Sequence, residues 1–284
     1  MKFDVIAGNP PYNKPREGKV TGGMTILWDK FVTKSLSLLN DKGILCYVHP
    51  SPWRKPESYL WESMTKLQMC HLHIMSEKEG KDTFGVATKA DFYVIQNTPY
   101  SKPTSVRTDD GKTSVVDLRA LPFLPSKMIA EIRAILTTSE TEQCQVVFDT
   151  SYHTHGKSWM SETEHGKFTH PVINAIDDNG LSLRYSSLNT KGHFGVSKVI
   201  LNDARHVTAI NDFAGKYGMT QHAFGISISS KREGDLIVAA INSVRFQEII
   251  KATKWSNFQT DYKMFRVFKK DFWKHFVDEN GNAI

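Results

Sequence analysis

Cysteine is scarce: Cys46, Cys70 and Cys144 are the only three in 284 residues. They are widely spaced, and one falls inside a run that reads as a strand, so neither a disulfide framework nor a Cys-x-x-Cys metal site is available. They read as reduced and mostly buried. Long apolar runs are missing too. No stretch reaches the ~18 residues of a membrane span, and the opening Met1-Lys2-Phe3-Asp4-Val5-Ile6 is broken too early for a signal peptide. These absences argue against a disulfide-stapled or membrane-integral protein and lead us to expect a cytoplasmic one. There is no internal repeat. Gly111-Lys112-Thr113 and Gly156-Lys157-Ser158 lack the preceding glycine of a phosphate-binding loop. His153 and His155 lack a third ligand at metal-site spacing.

An apolar content of 40% over this length suffices for one large core or two ordinary ones. The formal charge of +6 suits a polyanionic partner without requiring one. Much of the excess is late, in Lys251, Lys254, Lys263, Arg266, Lys269, Lys270 and Lys274. Trp255, Phe258, Tyr262, Phe265, Phe268, Phe272 and Trp273 interleave with them. That pattern fits a nucleic-acid surface, with cations on phosphates and aromatic faces on bases. It fits equally an aromatic core with a solvated basic face.

Along the chain, residues 3–7 form an apolar strand ended by Gly8-Asn9-Pro10-Pro11. A polar, glycine-rich loop covers 14–23. Thr25 could then cap a helix bearing Trp28, Phe31, Val32, Leu36 and Leu39. A second strand at 44–48 ends in His49-Pro50-Ser51-Pro52-Trp53 and is followed by a helix over about 57–69. Apolar runs at 72–75 and 92–95 complete an α/β sheet closing on a hairpin-like pair. The Ser/Thr/Lys/Asp-rich segment to about Val115 has the composition of a linker, which puts a domain boundary near residue 100. The second domain, 101–284, is mixed: a helix at 126–136, strands near 145–148, 196–201 and 224–229, and an amphipathic helix over 233–251.

Phe3-Asp4-Val5-Ile6-Ala7-Gly8-Asn9-Pro10-Pro11-Tyr12 resembles the catalytic loop of gamma-class, adenine-specific DNA methyltransferases of restriction-modification type. By chance the Asn-Pro-Pro-Tyr core would occur in roughly one chain in a thousand of this length. The resemblance implies an α/β fold, the C-terminal half of a Rossmann-like methyltransferase sheet in 1–100, followed by a mixed α+β target-recognition domain. It implies S-adenosylmethionine as cofactor and double-stranded DNA as substrate. Asn9, Pro10 and Tyr12 take the catalytic roles, and Asn9, Trp28 and Phe31 contact the cofactor. Tyr12 and Phe84 flank the extruded base, while Lys254 and Trp255 belong to a segment similar to the closing part of the recognition domain. The family's glycine-rich cofactor turn has no counterpart here, so the resemblance further implies that the N-terminal cofactor-binding half lies on a complementary polypeptide or in a missing N-terminal region. A non-catalytic DNA-recognition subunit or inactive remnant is the alternative, and methylation of RNA or a protein glutamine a third.

Overall fold

The chain was analysed as a computed structural model that describes all residues except 16–23, 86–87, 149–151, 178–179, 205 and 256–258. Most of the glycine-rich loop, Val86 of the Phe84-Gly85-Val86 triplet, and Phe258 of the late aromatic stretch therefore lie outside the described residues. The residues form two compact units, Met1–Ile129 with Thr253–Asn257, and Ala130–Ala252 with Phe258–Ile284.

The first unit begins with β1 (Phe3–Gly8), a short β2–β3 ribbon (Asn13–Pro15, Met24–Ile26) and α1 (Trp28–Leu38). Next come β4 (Leu39–Pro50), a turn of 3-10 helix at Ser51–Arg54, α2 (Tyr59–Thr65), β5 (Leu67–Ile74), α3 (Glu77–Phe84) and β6 (Ala90–Pro99). The hairpin of β7 (Thr104–Arg107) and β8 (Thr113–Val116) completes it. One mixed sheet has the order β1-β4-β6-β5-β7-β8. β1 and β4 are parallel, and β6 runs antiparallel to both β4 and β5. The α/β reading of this part holds, including the antiparallel pair near its end. β4 is paired on both sides, which leaves β1 alone as the open edge on that flank, with Val5 61% exposed.

Local chemistry explains the helix ends. Ser76 and Glu79 make a reciprocal capping box for α3, 3.1 Å from Glu79 N–H to Ser76 Oγ and 2.9 Å from Ser76 N–H to Glu79 Oε2. Gly85, at φ +74°, stops the helix. Gly80 faces the Thr88 carbonyl so closely that no Cβ would fit.

Several local expectations change. Thr25 lies in β3, and α1 starts after Leu27 without a side-chain cap. α2 is only seven residues because the chain from Leu67 pairs with β6 instead of continuing as helix. The supposed linker is the β7–β8 hairpin: β-branched Thr104, Val106, Thr113, Val115 and Val116 suit strands, and Asp109-Asp110-Gly111-Lys112 makes the turn, with Thr108 Oγ1 donating to Asp110 at 2.6 Å.

The second unit opens with α4 (Ile129–Ile135) and carries two four-stranded sheets. The strands are β9 (Val146–Val147), β10 (Met160–Ser161), β11 (His170–Asp177), β12 (Gly180–Ser186), β13 (Lys198–Asn202), β14 (Ala209–Asp212), β15 (Gly218–Met219) and β16 (Ala223–Ser227). Their orders are β10-β12-β11-β15 and β14-β13-β16-β9. Ile173 and Ile176 of the first pack with Ile200 and Ala223 of the second. The long amphipathic stretch is two helices, α5 (Lys231–Asn242) and α6 (Val244–Ala252). Ser243 takes an extended conformation between them, and its Oγ accepts the Phe246 N–H at 3.2 Å.

Most of the described late aromatics are core. Phe246 of α6 is surrounded by Phe265, Phe268, Phe272 and Phe276, with ring centroids 5.1–6.4 Å away. All five are at most 2% exposed. Of the two readings of that stretch, Trp255, Phe265, Phe268 and Phe272 follow the core one, while Tyr262 and Trp273 are half-buried with Arg266 and Lys274 over their rings at 5.1 and 5.6 Å from the centroids.

Candidate functional site

β1 and β4 are parallel neighbours, with Gly8 in register with Tyr47, so their carboxyl ends release two loops side by side. Such crevices are where open α/β sheets hold ligands. The first loop is Asn9-Pro10-Pro11-Tyr12. Neither proline has an N–H, so the β1 ladder cannot continue. Pro10 is buried, and Asn9 is exposed with a carboxamide that makes no hydrogen bond among the described residues. Tyr12 is half-buried, and its carbonyl accepts the Leu27 N–H at 3.0 Å. That bond and the β2–β3 pairing tie the loop to the start of α1. Burial raises the Tyr12 phenol above its ordinary value, so it stays protonated at neutral pH.

Trp28, the first residue of α1, is 6% exposed and stacks on His49 near the carboxyl end of β4, centroids 4.5 Å apart and planes at 18°. His49 Nδ1 lies 3.0 Å from the Pro50 carbonyl and Nε2 lies 3.0 Å from the Tyr93 hydroxyl. A carbonyl can only accept, so Nδ1 carries the proton and Nε2 accepts from Tyr93. Burial lowers the imidazole to about 4, which keeps it neutral. Phe31, one turn along α1, remains 41% exposed.

Beneath the loop after β4 lies a satisfied ion pair that the sequence reading missed. Asp91 of β6 accepts from Ser51 Oγ at 2.9 Å, Trp53 Nε1 at 2.7 Å and Arg54 Nε at 2.7 Å. Arg54 Nη1 donates to the Leu124 carbonyl at 2.7 Å, and both charged residues are at most 1% exposed. A buried charge pair persists only when its remaining donors and acceptors are filled. Here they hold the loop after β4 in one shape. The only sequence signal was an aspartate at the head of the otherwise apolar run 92–95.

The structure thus brings Asn9, Pro10 and Tyr12 to one loop tied to Trp28, with Phe31 on the same helix. The other expected residues lie elsewhere in the unit. Phe84 is half-buried at the end of α3 and makes no ring contact with Tyr12 among the described residues. Trp255 is 5% exposed; its indole N–H donates to the Leu124 carbonyl at 2.8 Å and its ring meets Phe123 edge-on at 5.4 Å. Lys254 is buried, and its carbonyl accepts from Lys89 Nζ at 2.9 Å. In the second unit His153 faces Met160 Sδ at 3.3 Å and the Lys191 carbonyl at 3.2 Å. No cluster that could hold a metal occurs among the described residues.

The Eco57I restriction-modification methylase family matches residues 1–84. That span contains β1, the Asn9–Tyr12 loop, α1, β4, β5 and α3. Among solved structures, the type IIL restriction-modification enzyme MmeI, determined in complex with DNA, overlaps at a TM-score of 0.53 and 10% identity. The overlap covers 93% of this chain and 45% of that one. A DrdV–DNA complex overlaps at a TM-score of 0.39 and 8% identity, covering 91% and 39%. The type IIG restriction endonuclease BpuSI overlaps at 0.34 and 9%, covering 87% and 42%. The chain spans less than half the length of each of these proteins. No curated protein sequence matches it. The likeness to MmeI agrees with the expected α/β sheet followed by a further domain. No helix among the described residues is long and apolar enough to cross a membrane.

Proposed function

We propose that the chain carries the acceptor-side catalytic residues of a restriction-modification DNA methyltransferase acting on the exocyclic amine of adenine. The observation that carries this reading is the Asn9-Pro10-Pro11-Tyr12 loop at the carboxyl end of β1, with an exposed, unbonded carboxamide. Adenine's amine is a weak nucleophile because its lone pair is delocalised into the ring. Asn9 Oδ1 and the Pro10 carbonyl would accept its two hydrogens, favouring a pyramidal nitrogen with a directed lone pair. Tyr12, tied to α1 through its own carbonyl, would stack on the extruded base.

S-adenosylmethionine would supply the electrophilic methyl group. Phe31 has the exposed aromatic face that the donor's ring needs, whereas most of Trp28 is already covered. The glycine-rich turn that cradles such a donor is absent from the sequence. We therefore assign it to a complementary polypeptide or a further N-terminal region that covers the edge of the sheet at β1, where Val5 is 61% exposed. Residues 1–100 take the catalytic role and 101–284 read the target. Trp255, whose indole N–H shares the Leu124 carbonyl with Arg54, acts in positioning the loop after β4.

The same open edge supports a second reading, a DNA-recognition subunit without catalysis. Methyl transfer to adenine in duplex DNA by the reconstituted enzyme separates the two. Asn9→Ala should abolish transfer and leave DNA binding intact; equal transfer by the variant would remove the catalytic reading. RNA and a glutamine-containing protein, run alongside, test the acceptor.

A further inference from the structure

Three of the late basic residues stand beside carboxylates within the second unit, and a fourth meets a backbone carbonyl. Lys270 pairs with Glu142 at 3.3 Å, Lys274 with Asp271 at 3.2 Å and Lys251 with Glu248 at 2.6 Å. Lys269 Nζ donates to the Ala134 carbonyl at 2.7 Å. A cation already neutralised by a fixed carboxylate gains less from a phosphate.

A different arrangement occurs beside β10 and β12. The Lys157 ammonium lies over the Trp159 ring, 5.6 Å from its centroid. Trp159 stacks at a tilt on Tyr152, 5.3 Å between centroids and 34° between planes. The Lys191 ammonium lies over Tyr152 at 5.1 Å. Lysine, tryptophan, tyrosine and lysine thus form a continuous ladder. Both aromatic rings are half-buried, both lysines are exposed, and neither ammonium has a carboxylate partner among the described residues.

The ladder is fixed from below. Trp159 Nε1 donates to the Tyr152 carbonyl at 3.1 Å, and the Ser187 N–H donates to the Trp159 carbonyl at 2.9 Å. Buried His153 stands edge-on to Tyr152 at 4.9 Å and reaches the Lys191 carbonyl. Gly192, at φ +79°, lies against the His153 ring where no Cβ would fit. Residues 189–194 and Val196, with Lys191 among them, line a hollow of about 350 Å³.

We propose that this ladder and the 189–196 loop form a contact surface for the DNA backbone. Two exposed ammoniums without carboxylate partners among the described residues, each held over one of a preorganised pair of aromatic faces, offer two phosphate contacts, and the hollow of the following loop adjoins the second. The proposal rests on the reading of DNA as substrate, and it locates the phosphate contacts away from the late basic stretch.

The test is binding of the 284-residue chain to a mixed-sequence duplex oligonucleotide across a salt series. Lys157→Ala/Lys191→Ala should weaken binding at least tenfold at low salt. It should also make the slope of log K against log salt shallower by about 1.8, the counterion release of two phosphates. Lys270→Ala/Lys274→Ala should change the slope little. Wild-type-like binding by the Lys157/Lys191 variant, with its circular dichroism unchanged, overturns the proposal and leaves the DNA reading standing. If the wild type itself does not bind duplex DNA, both fall. Should the alanine pair misfold, Lys157→Gln/Lys191→Gln is read by the same two criteria.

Discussion

The Trp28 indole and the His49 imidazole lie face to face, 4.5 Å apart at 18°. This stack joins the helix that follows the Asn9–Tyr12 loop to the carboxyl end of β4. The imidazole there is neutral, because its burial disfavours the cation.

The pH dependence follows. The His49 pKa falls from 6.5 to about 4 on folding. Between those values the unfolded chain binds more protons than the folded one, so stability rises with pH across the window. The contribution is fully present above about 6.5 and is lost as pH falls toward 4. It amounts to about 2 kcal/mol between pH 7 and pH 5. Urea unfolding at both pH values should show this loss in the wild type and a correspondingly smaller one in His49→Gln.

Asp91→Ala should be among the most damaging substitutions in the first unit. It orphans a buried guanidinium and removes the acceptor of Ser51 and Trp53 together. Breaking such a pair costs about 3–5 kcal/mol. Thermal unfolding should show this, with Asp91→Asn falling between the variant and the wild type.

Tyr12 is proposed to act through its ring and not its hydroxyl. Tyr12→Phe should retain methyl transfer, and Tyr12→Ala should lower kcat/KM roughly tenfold or more, the worth of one base–aromatic stack. Equal losses in the two variants would point to the hydroxyl instead.

In the second unit, Phe246→Ala should cost about 3–5 kcal/mol, because its ring is shared by four other phenylalanines. Trp273→Ala, at a half-buried position in the same stretch, should cost clearly less. Denaturant midpoints of the two variants give the comparison.

Strand β1, its proline-rich exit and β4 were legible because they depend on near neighbours. An apolar run is terminated where two successive residues lack an N–H, and no distant contact is needed to see it. The β7–β8 hairpin was not legible, since Thr104–Val116 is too polar to announce a core strand and gains its order only by pairing Thr104–Arg107 against β5. The break at Ser243 was hidden for the opposite reason: the apolar spacing continues through it, and only Ser243's backbone ends one helix and starts the next.

By itself the sequence determined the reactive-looking loop, the α/β character of the first part and the scarcity of cysteine chemistry. These follow from residue type and spacing within a few positions. Only the tertiary structure decided which charges and rings are spent on the protein itself. Asp91 and Arg54 are 37 positions apart and Leu124 and Trp255 are 131 apart, yet each pair shares a hydrogen bond in the first unit. Lys270 and Lys274 carry the same charge as Lys157 and Lys191, but among the described residues only the former stand beside carboxylates. Burial and pairing across the fold, which spacing along the chain does not encode, separate a packed residue from an available one.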